Sequence, residues 1–166
     1  MQIVLARIDD RLIHGQVATG WAKVTACERI IICDDEIAAD SVRSTLIKQA
    51  APPGIKGSVV DIGKAIRAYN NPIYENTKCL LLFSNPQNVL RLVEGGVDIT
   101  TVNIGGMSFK EGKKQITSAV SVNEQDIASF QSLHQKGIEL EIRKISSDKK
   151  VLLMDILKYP LTANIQ

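Results

Sequence analysis

IVLARIDDRLIHGQVATGW, residues 3 to 21, is the stretch whose reading decides the fold. An apolar run from Ile3 to Ile8 gives way to Asp9, Asp10 and Arg11, then to His14 and Gly15. Ile3, Val4 and Leu5 are β-branched or bulky and suit a buried strand. Val17, Trp21 and Val24 follow at helical spacing, so the segment predicts a strand, a charged loop bearing a histidine, and a helix beginning near Gly15. In an open α/β sheet, ligands bind at the carboxyl ends of the strands, and a helix N-terminus there turns unpaired N–H groups toward an anion. The junction puts His14 and Gly15 where phosphate can be met.

Outward from this stretch the alternation of strand and helix continues. Residues 29–33, 57–60, 78–83 and 100–104 read as further strands; the run at 78–83 is continuously apolar after Lys78, as suits a central parallel strand covered on both faces. A helix over 40–50, with Val42, Leu46 and Ile47 on one face, stops at Pro52-Pro53-Gly54. Asp61 caps a helix containing Ile62, Ala65, Ile66 and Tyr69; Ser84-Asn85-Pro86 opens another, with proline at or near its first position. The fifth strand is read as breaking at Gly105-Gly106, and a short strand-like segment follows at 119–122. Asn123 caps a helix with Ile127, Phe130 and Leu133 inward and Gly137 just past its end. Residues 138–145 alternate apolar with charged and predict an edge strand. Ser147 or Asp148 starts a last helix through Leu152, Ile156 and Leu157. Repeated βα units predict an α/β fold: an open, mostly parallel sheet with helices on both faces and the active loop after strand one.

A length of 166 residues suits a single domain spanning 1–166, and a formal charge of +2 gives no reason to propose a nucleic acid partner. Cys27, Cys33 and Cys79 are odd in number and widely spaced, which predicts buried thiols in a reducing compartment. No metal-ligand spacing, Walker A pattern or GxGxxG pattern occurs, so neither a metal nor a nucleotide cofactor is implied. The absence of a basic-then-apolar leader and of a run near the roughly 20 residues needed to span a bilayer predicts a cytoplasmic protein.

The loop supplies the parts that phosphoryl transfer needs. A neutral imidazole has a ring nitrogen free to attack, and with an unperturbed pKa of about 6.5 a histidine is largely neutral near pH 7. Arg7 and Arg11 are the candidates for stabilising the phosphoryl oxygens, by the planar donors of their guanidinium groups. Asp9 or Asp10 is the candidate for holding the other ring nitrogen; the spacing does not choose between them. Ser84 and Asn85 end a central strand beside this loop and are candidates for binding phosphate or for capping a helix. Lys110, Lys113 and Lys114 form a basic connection, and His134 near a helix end reads as structural or surface.

The string ARIDDRLIHGQV, residues 6–17, resembles the phosphorylation-site segment of EIIB components of the phosphoenolpyruvate-dependent sugar phosphotransferase system, in the mannose, fructose and sorbose family. LLFSNP at 81–86, TVNIGGM at 101–107 and KKQITSAVSV at 113–122 continue the resemblance in order. It implies that His14 accepts a phosphoryl group from a phosphohistidine on the EIIA domain and passes it to a sugar entering through the membrane components. No organic cofactor is implied. The matches look closer to the sorbose and fructose branch than to the mannose one, and self-association stays open. A different class also fits part of the pattern: a receiver-like signalling domain phosphorylated on aspartate, with Asp9-Asp10, Asp61 and Ser84 at strand ends. Against it, Gly105-Gly106 stands where a phosphate-binding lysine is expected, and His14 has no task.

Overall fold

A computed structural model describes residues 1–15 and 17–157. Its main sheet has seven strands: β1 (Gln2–Asp9), β2 (Arg29–Cys33), β3 (Lys56–Val60), β4 (Lys78–Phe83), β5 (Thr101–Gly106), β8 (Glu139–Ile142) and β9 (Val151–Leu152), in the order β3-β2-β4-β1-β5-β8-β9. All pairings are parallel except that of β9 with β8. A small hairpin of β6 (Lys114–Gln115) and β7 (Ser121–Val122) stands apart.

Strand alternation divides the core between the two faces. Cys79, Leu81 and Phe83 pack on one side of β4 and Leu80 and Leu82 on the other, all buried; Ile31 and Cys33 oppose Ile30 and Ile32 on β2 in the same way. Full burial of each such aliphatic or aromatic side chain contributes about 1.5 to 3 kcal/mol. The first face is covered by α4 (Ile62–Tyr69), α5 (Pro86–Glu94) and α6 (Glu124–Gln135), the second by the segment after β1 together with α2 (Asp35–Ala39) and α3 (Ser41–Gln49). Connections from β1 and β2 therefore leave to one face and those from β3, β4 and β5 to the other. β1, flanked by β4 and β5, sits between strands whose connections go the opposite way, which opens a crevice above its carboxyl end.

The caps fall where the residue types place them. Asp61, Asn85 and Asn123 each accept a backbone N–H three residues on, from Lys64, Asn88 and Asp126, and Asn123 with Asp126 completes a capping box. Gly137, at φ +82°, ends α6 in the left-handed conformation.

Five expectations change. Gly105 and Gly106 are the last two residues of β5 rather than a break after Ile104, and the Arg7 guanidinium lies against the strand there: a Cβ on Gly105 would overlap the Arg7 side chain. The strand at 139–142 is an inner one, since Val151–Leu152 adds antiparallel beyond it, and helix begins only at 153. The helix over 40–50 is preceded by a separate short α2, and Asp40 caps α3 by accepting from Arg43 N–H. Val42 and Leu46 of α3 are exposed; Ser44 faces inward, donating its hydroxyl proton to the Ile37 carbonyl at 2.6 Å. After His14 the chain makes a π-helical turn, Val17–Trp21, before α1 (Ala22–Thr25); its wider winding buries Val17 and Trp21 and leaves Val24 in solvent.

Candidate functional site

Arg7 and Asp9 share one face of β1 because they are two residues apart, and that face looks toward Trp21. Both are fully buried. Arg7 Nη2–H donates to Asp9 Oδ2 at 3.1 Å and to the Lys144 carbonyl at 3.1 Å; Nη1–H donates to Asn103 Oδ1 and to the Arg143 carbonyl at 3.0 Å. Burial pulls the Arg7 pKa below its ordinary value, and the neighbouring Asp9 carboxylate pushes it back up. The expectation that Arg7 meets a phosphoryl group does not match this placement: its terminal nitrogens are committed inside the protein, and it braces Asp9.

Asp9 is the hub. Besides Arg7, its carboxylate accepts from Arg11 N–H at 3.1 Å, Arg11 Nε–H at 3.2 Å and Arg11 Nη2–H at 3.3 Å. His14 Nε2 stands 3.9 Å from Asp9 Oδ2, and His14 Nδ1 lies 3.0 Å from the Leu12 carbonyl. Each ring nitrogen thus faces an acceptor: the 3.0 Å contact suits a proton on Nδ1, and a proton moved to Nε2 is stabilised by Asp9 and makes Nδ1 the nucleophile once it leaves the Leu12 carbonyl. Asp10 is turned elsewhere: it accepts from Ser108 N–H at 2.7 Å and Ser108 Oγ–H at 2.9 Å, tying the loop to the chain beyond β5. Of the two carboxylates left open by spacing, Asp9 is the one that approaches the ring.

Leu12 makes the loop compact. It is a non-glycine residue at φ +63°, a left-handed conformation costing on the order of 1 to 3 kcal/mol, offset here by its buried side chain. The turn lets Leu12 N–H donate to the Asp9 carbonyl at 2.9 Å and aims the Leu12 carbonyl at the imidazole. Backbone carbonyls carry no sequence signal, which is why this partner was not legible beforehand. Gly15 is exposed at the start of the following turn.

Further partners also lay outside the sequence reading. Asn103 Nδ2–H donates to Glu141 Oε1 at 3.1 Å, and Glu141 in turn accepts from Arg143 Nε–H at 2.7 Å, which raises the Arg143 pKa through that hydrogen bond despite some desolvation. Arg7 and Arg143 both stand over the Trp21 ring, at 5.3 Å and 5.2 Å from its centre, and Trp21 Nε1–H donates to the Lys144 carbonyl at 3.0 Å. The stretch TVNIGGM contains Asn103, but nothing in its spacing pairs it with Arg7.

Ser84 Oγ–H donates to the Asp34 carboxylate at 2.6 Å, and Asn85 Oδ1 caps α5, so both side chains are engaged in the fold. Lys113 pairs with Asp126 at 3.1 Å, whereas Lys110 and Lys114 are exposed. Asp61 caps α4 at the end of edge strand β3, with β2 and β4 between it and β1. The Asp9, Asp10 and Asp61 carboxylates therefore do not form one acidic pocket. No group of three or more His, Cys, Asp or Glu side chains suited to share a metal ion occurs among the described residues. Among them, too, no helix is long and apolar enough to cross a membrane. Cys27, Cys33 and Cys79 are all buried and unpaired as disulfides.

The family described as "PTS system sorbose subfamily IIB component" matches residues 3–164. The mannose-specific EIIAB component of Escherichia coli (strain K12) is 59% identical over 157 residues, covering 95% of this chain and 49% of that protein, so the chain spans about half the length of this relative. The sorbose-specific EIIB component of Klebsiella pneumoniae is 53% identical over 155 residues, 93% of this chain and 94% of that one. Among solved structures, the IIBSor domain of the sorbose permease from Klebsiella pneumoniae superposes with a TM-score of 0.92 at 52% identity, covering 95% of this chain and 97% of that one. With this match over nearly its whole length, the chain belongs to the sorbose subfamily of IIB components of the phosphotransferase system.

Proposed function

We propose that this chain is a phosphohistidine carrier, in which His14 takes a phosphoryl group from a phosphohistidine of an EIIA domain and gives it to a sugar presented by the membrane components. The observation that carries this reading is the clustering of His14 and the exposed fork of Arg11 around the single buried carboxylate of Asp9. A nucleophile and a planar cation gathered around one rigid anchor are already close together when a transferring phosphoryl group arrives. In the first step the donor's P–N bond breaks as a P–N bond to His14 forms. In the second, a sugar hydroxyl oxygen takes the phosphorus, its proton leaves to solvent and the imidazole recovers its lone pair.

The phosphoryl group is assigned to Nδ1. At Nε2 it would lie against the Asp9 carboxylate, 3.9 Å away, where like charges repel, whereas a proton at Nε2 is stabilised there. The Leu12 carbonyl contact is then given up as phosphorus arrives. Phosphorus–nitrogen couplings in the labelled protein distinguish the two positions.

Identity does not favour one sugar: the mannose-specific relative is 59% identical and the sorbose-specific one 53%, so the lean toward sorbose in the sequence motifs is not carried by overall similarity. Uptake assays with matching membrane components decide it.

Labelling from phosphorylated EIIA tests the carrier reading. Wild type takes up one label on His14, labile in acid and stable in base as a phosphoramidate is, and His14→Ala takes up none. Label surviving in His14→Ala, or a bond broken readily by base, sinks the reading in favour of an aspartyl phosphate.

A further inference from the structure

A cavity of about 310 Å³ lies on the other face of the sheet from the His14 loop, toward the β3 edge. Its floor is apolar, formed by Ile31 of β2, Val60 of β3 and Leu81 of β4, and Ala65 and Ala68 of α4 form a wall. The space is left open by small side chains: Ser58, Ala65 and Ala68 stand where the rest of the sheet and its helices carry Ile, Leu and Phe. Arg29, Lys48, Lys56 and Lys64 also line it, and no Asp or Glu does. The three lysines are exposed, and Arg29 is propped over the Tyr74 ring at 5.5 Å. None of the four cations is paired with a carboxylate among the described residues.

An apolar recess rimmed by unpaired cations has the chemistry of a site for an amphiphile of negative charge. A hydrocarbon body gains from burial against Ile31, Val60 and Leu81, while a carboxylate head reaches the lysines without leaving water. A neutral alcohol of the same length gains only the first of these, and a cationic amphiphile is repelled. We propose that this cavity is a binding site for a medium-length alkyl carboxylate, separate from the phosphoryl-transfer site.

Isothermal titration of the whole chain with hexanoate, octanoate and decanoate tests it. Binding to a single saturable site is expected, tightening about fourfold for each added methylene until the cavity is filled. Decanol should bind at least about tenfold more weakly, and decyltrimethylammonium weaker still. Ala68→Trp, which fills the recess, should abolish decanoate binding. The exposed pair Lys56→Glu with Lys64→Glu, which leaves the core untouched, should weaken decanoate about tenfold and leave decanol unchanged. The proposal is overturned if decanoate does not saturate, if alcohol and carboxylate bind alike, or if the charge-reversed pair binds decanoate as wild type does. It is overturned equally if sedimentation shows a dimer that Ala68→Trp dissociates, because a second copy of the chain would then occupy the recess.

Discussion

Arg11 clasps the buried carboxylate of Asp9, with Nε 3.2 Å from Oδ1 and Nη2 3.3 Å from Oδ2, while its own side chain stays 43% exposed. The anchor is rigid because Arg7 holds Asp9 from the interior side. A half-exposed guanidinium fixed in this way keeps donors for an incoming anion, which a freely moving surface arginine would have to order first.

Arg11→Lys keeps the charge and loses the planar fork, and Arg11→Ala loses both, so phosphotransfer should fall in that order. Removing a positioned transition-state donor costs about 3 to 4 kcal/mol, roughly a hundred- to a thousandfold in rate. A surface pair with no catalytic part would cost under about 1 kcal/mol of stability and leave transfer intact. Single-turnover transfer from EIIA, measured beside thermal melts, separates these; an Arg11→Ala protein that melts normally and transfers within a few-fold of wild type removes Arg11 from the mechanism.

Gly105→Ala puts a methyl group into the Arg7 guanidinium. Arg7 has no room to move without leaving Asp9, Asn103 or the carbonyls of Arg143 and Lys144. Destabilisation of about 1 to 3 kcal/mol is expected, with a fall in transfer larger than the shift in melting explains, because Asp9 moves with Arg7. Gly96→Ala, in the connection that leads into the start of β5 and strained for its own φ of +96°, serves as the comparison: it should lower stability and spare transfer.

The partner surface should surround the His14 loop. Leu46 of α3 is exposed and lines a groove with Arg11, Leu12 and Ile13; Phe109 is exposed beyond Ser108, the partner of Asp10. Arg7, being buried, is not part of that surface. Leu46→Asp and Phe109→Asp should each raise the EIIA concentration needed for half-maximal transfer while leaving the melting temperature within error. Transfer should also weaken with salt, since exposed charges such as Arg43 and Lys110 are screened over about 8 Å at physiological ionic strength. Rates unmoved by both substitutions and by salt would place the docking surface elsewhere.

Asp35 gives an acid-side prediction. Its carboxyl pKa is held below the ordinary value, first by the Ile62 N–H that it accepts at 2.9 Å and then by Arg91 at 2.9 Å. A pKa lower in the folded than in the unfolded state gives stability that is full above the unfolded value and is lost as pH falls through the folded one. The difference in stability between wild type and Asp35→Asn should therefore favour wild type at neutral pH and shrink below about pH 4. Because the pair is half-exposed, it should stay under about 1 kcal/mol. A gap that widens toward acid contradicts the assignment.

Much of the scaffold was readable because its signals are local. Five apolar residues in a row after Lys78, Asn85 before Pro86, and Asn123 with Asp126 act within a few positions of themselves, and strand pairing adds little to what they already dictate. The exceptions have non-local causes. Gly105-Gly106 reads as a turn until a guanidinium from another strand needs the space, and Val151–Leu152 reads as helix until β8 offers an edge to pair with.

The same distinction runs through the site. By itself the amino-acid sequence determined that a histidine follows the first strand in a charged loop before a helical turn, because apolar periodicity and its interruption are written along the chain. Only the structure carries β1 as far as Asp9, and side chains alternating with period two then put Arg7 and Asp9 on one face. What lies above that face was decided by tertiary structure alone: Asn103 and the carbonyls of Arg143 and Lys144, 96 to 137 residues away from Arg7, close over the guanidinium. A buried charge must find every partner it can, since desolvation leaves no water to replace them. That requirement makes Arg7 an internal brace and leaves Arg11, four residues on and past the end of the strand, at the surface beside His14.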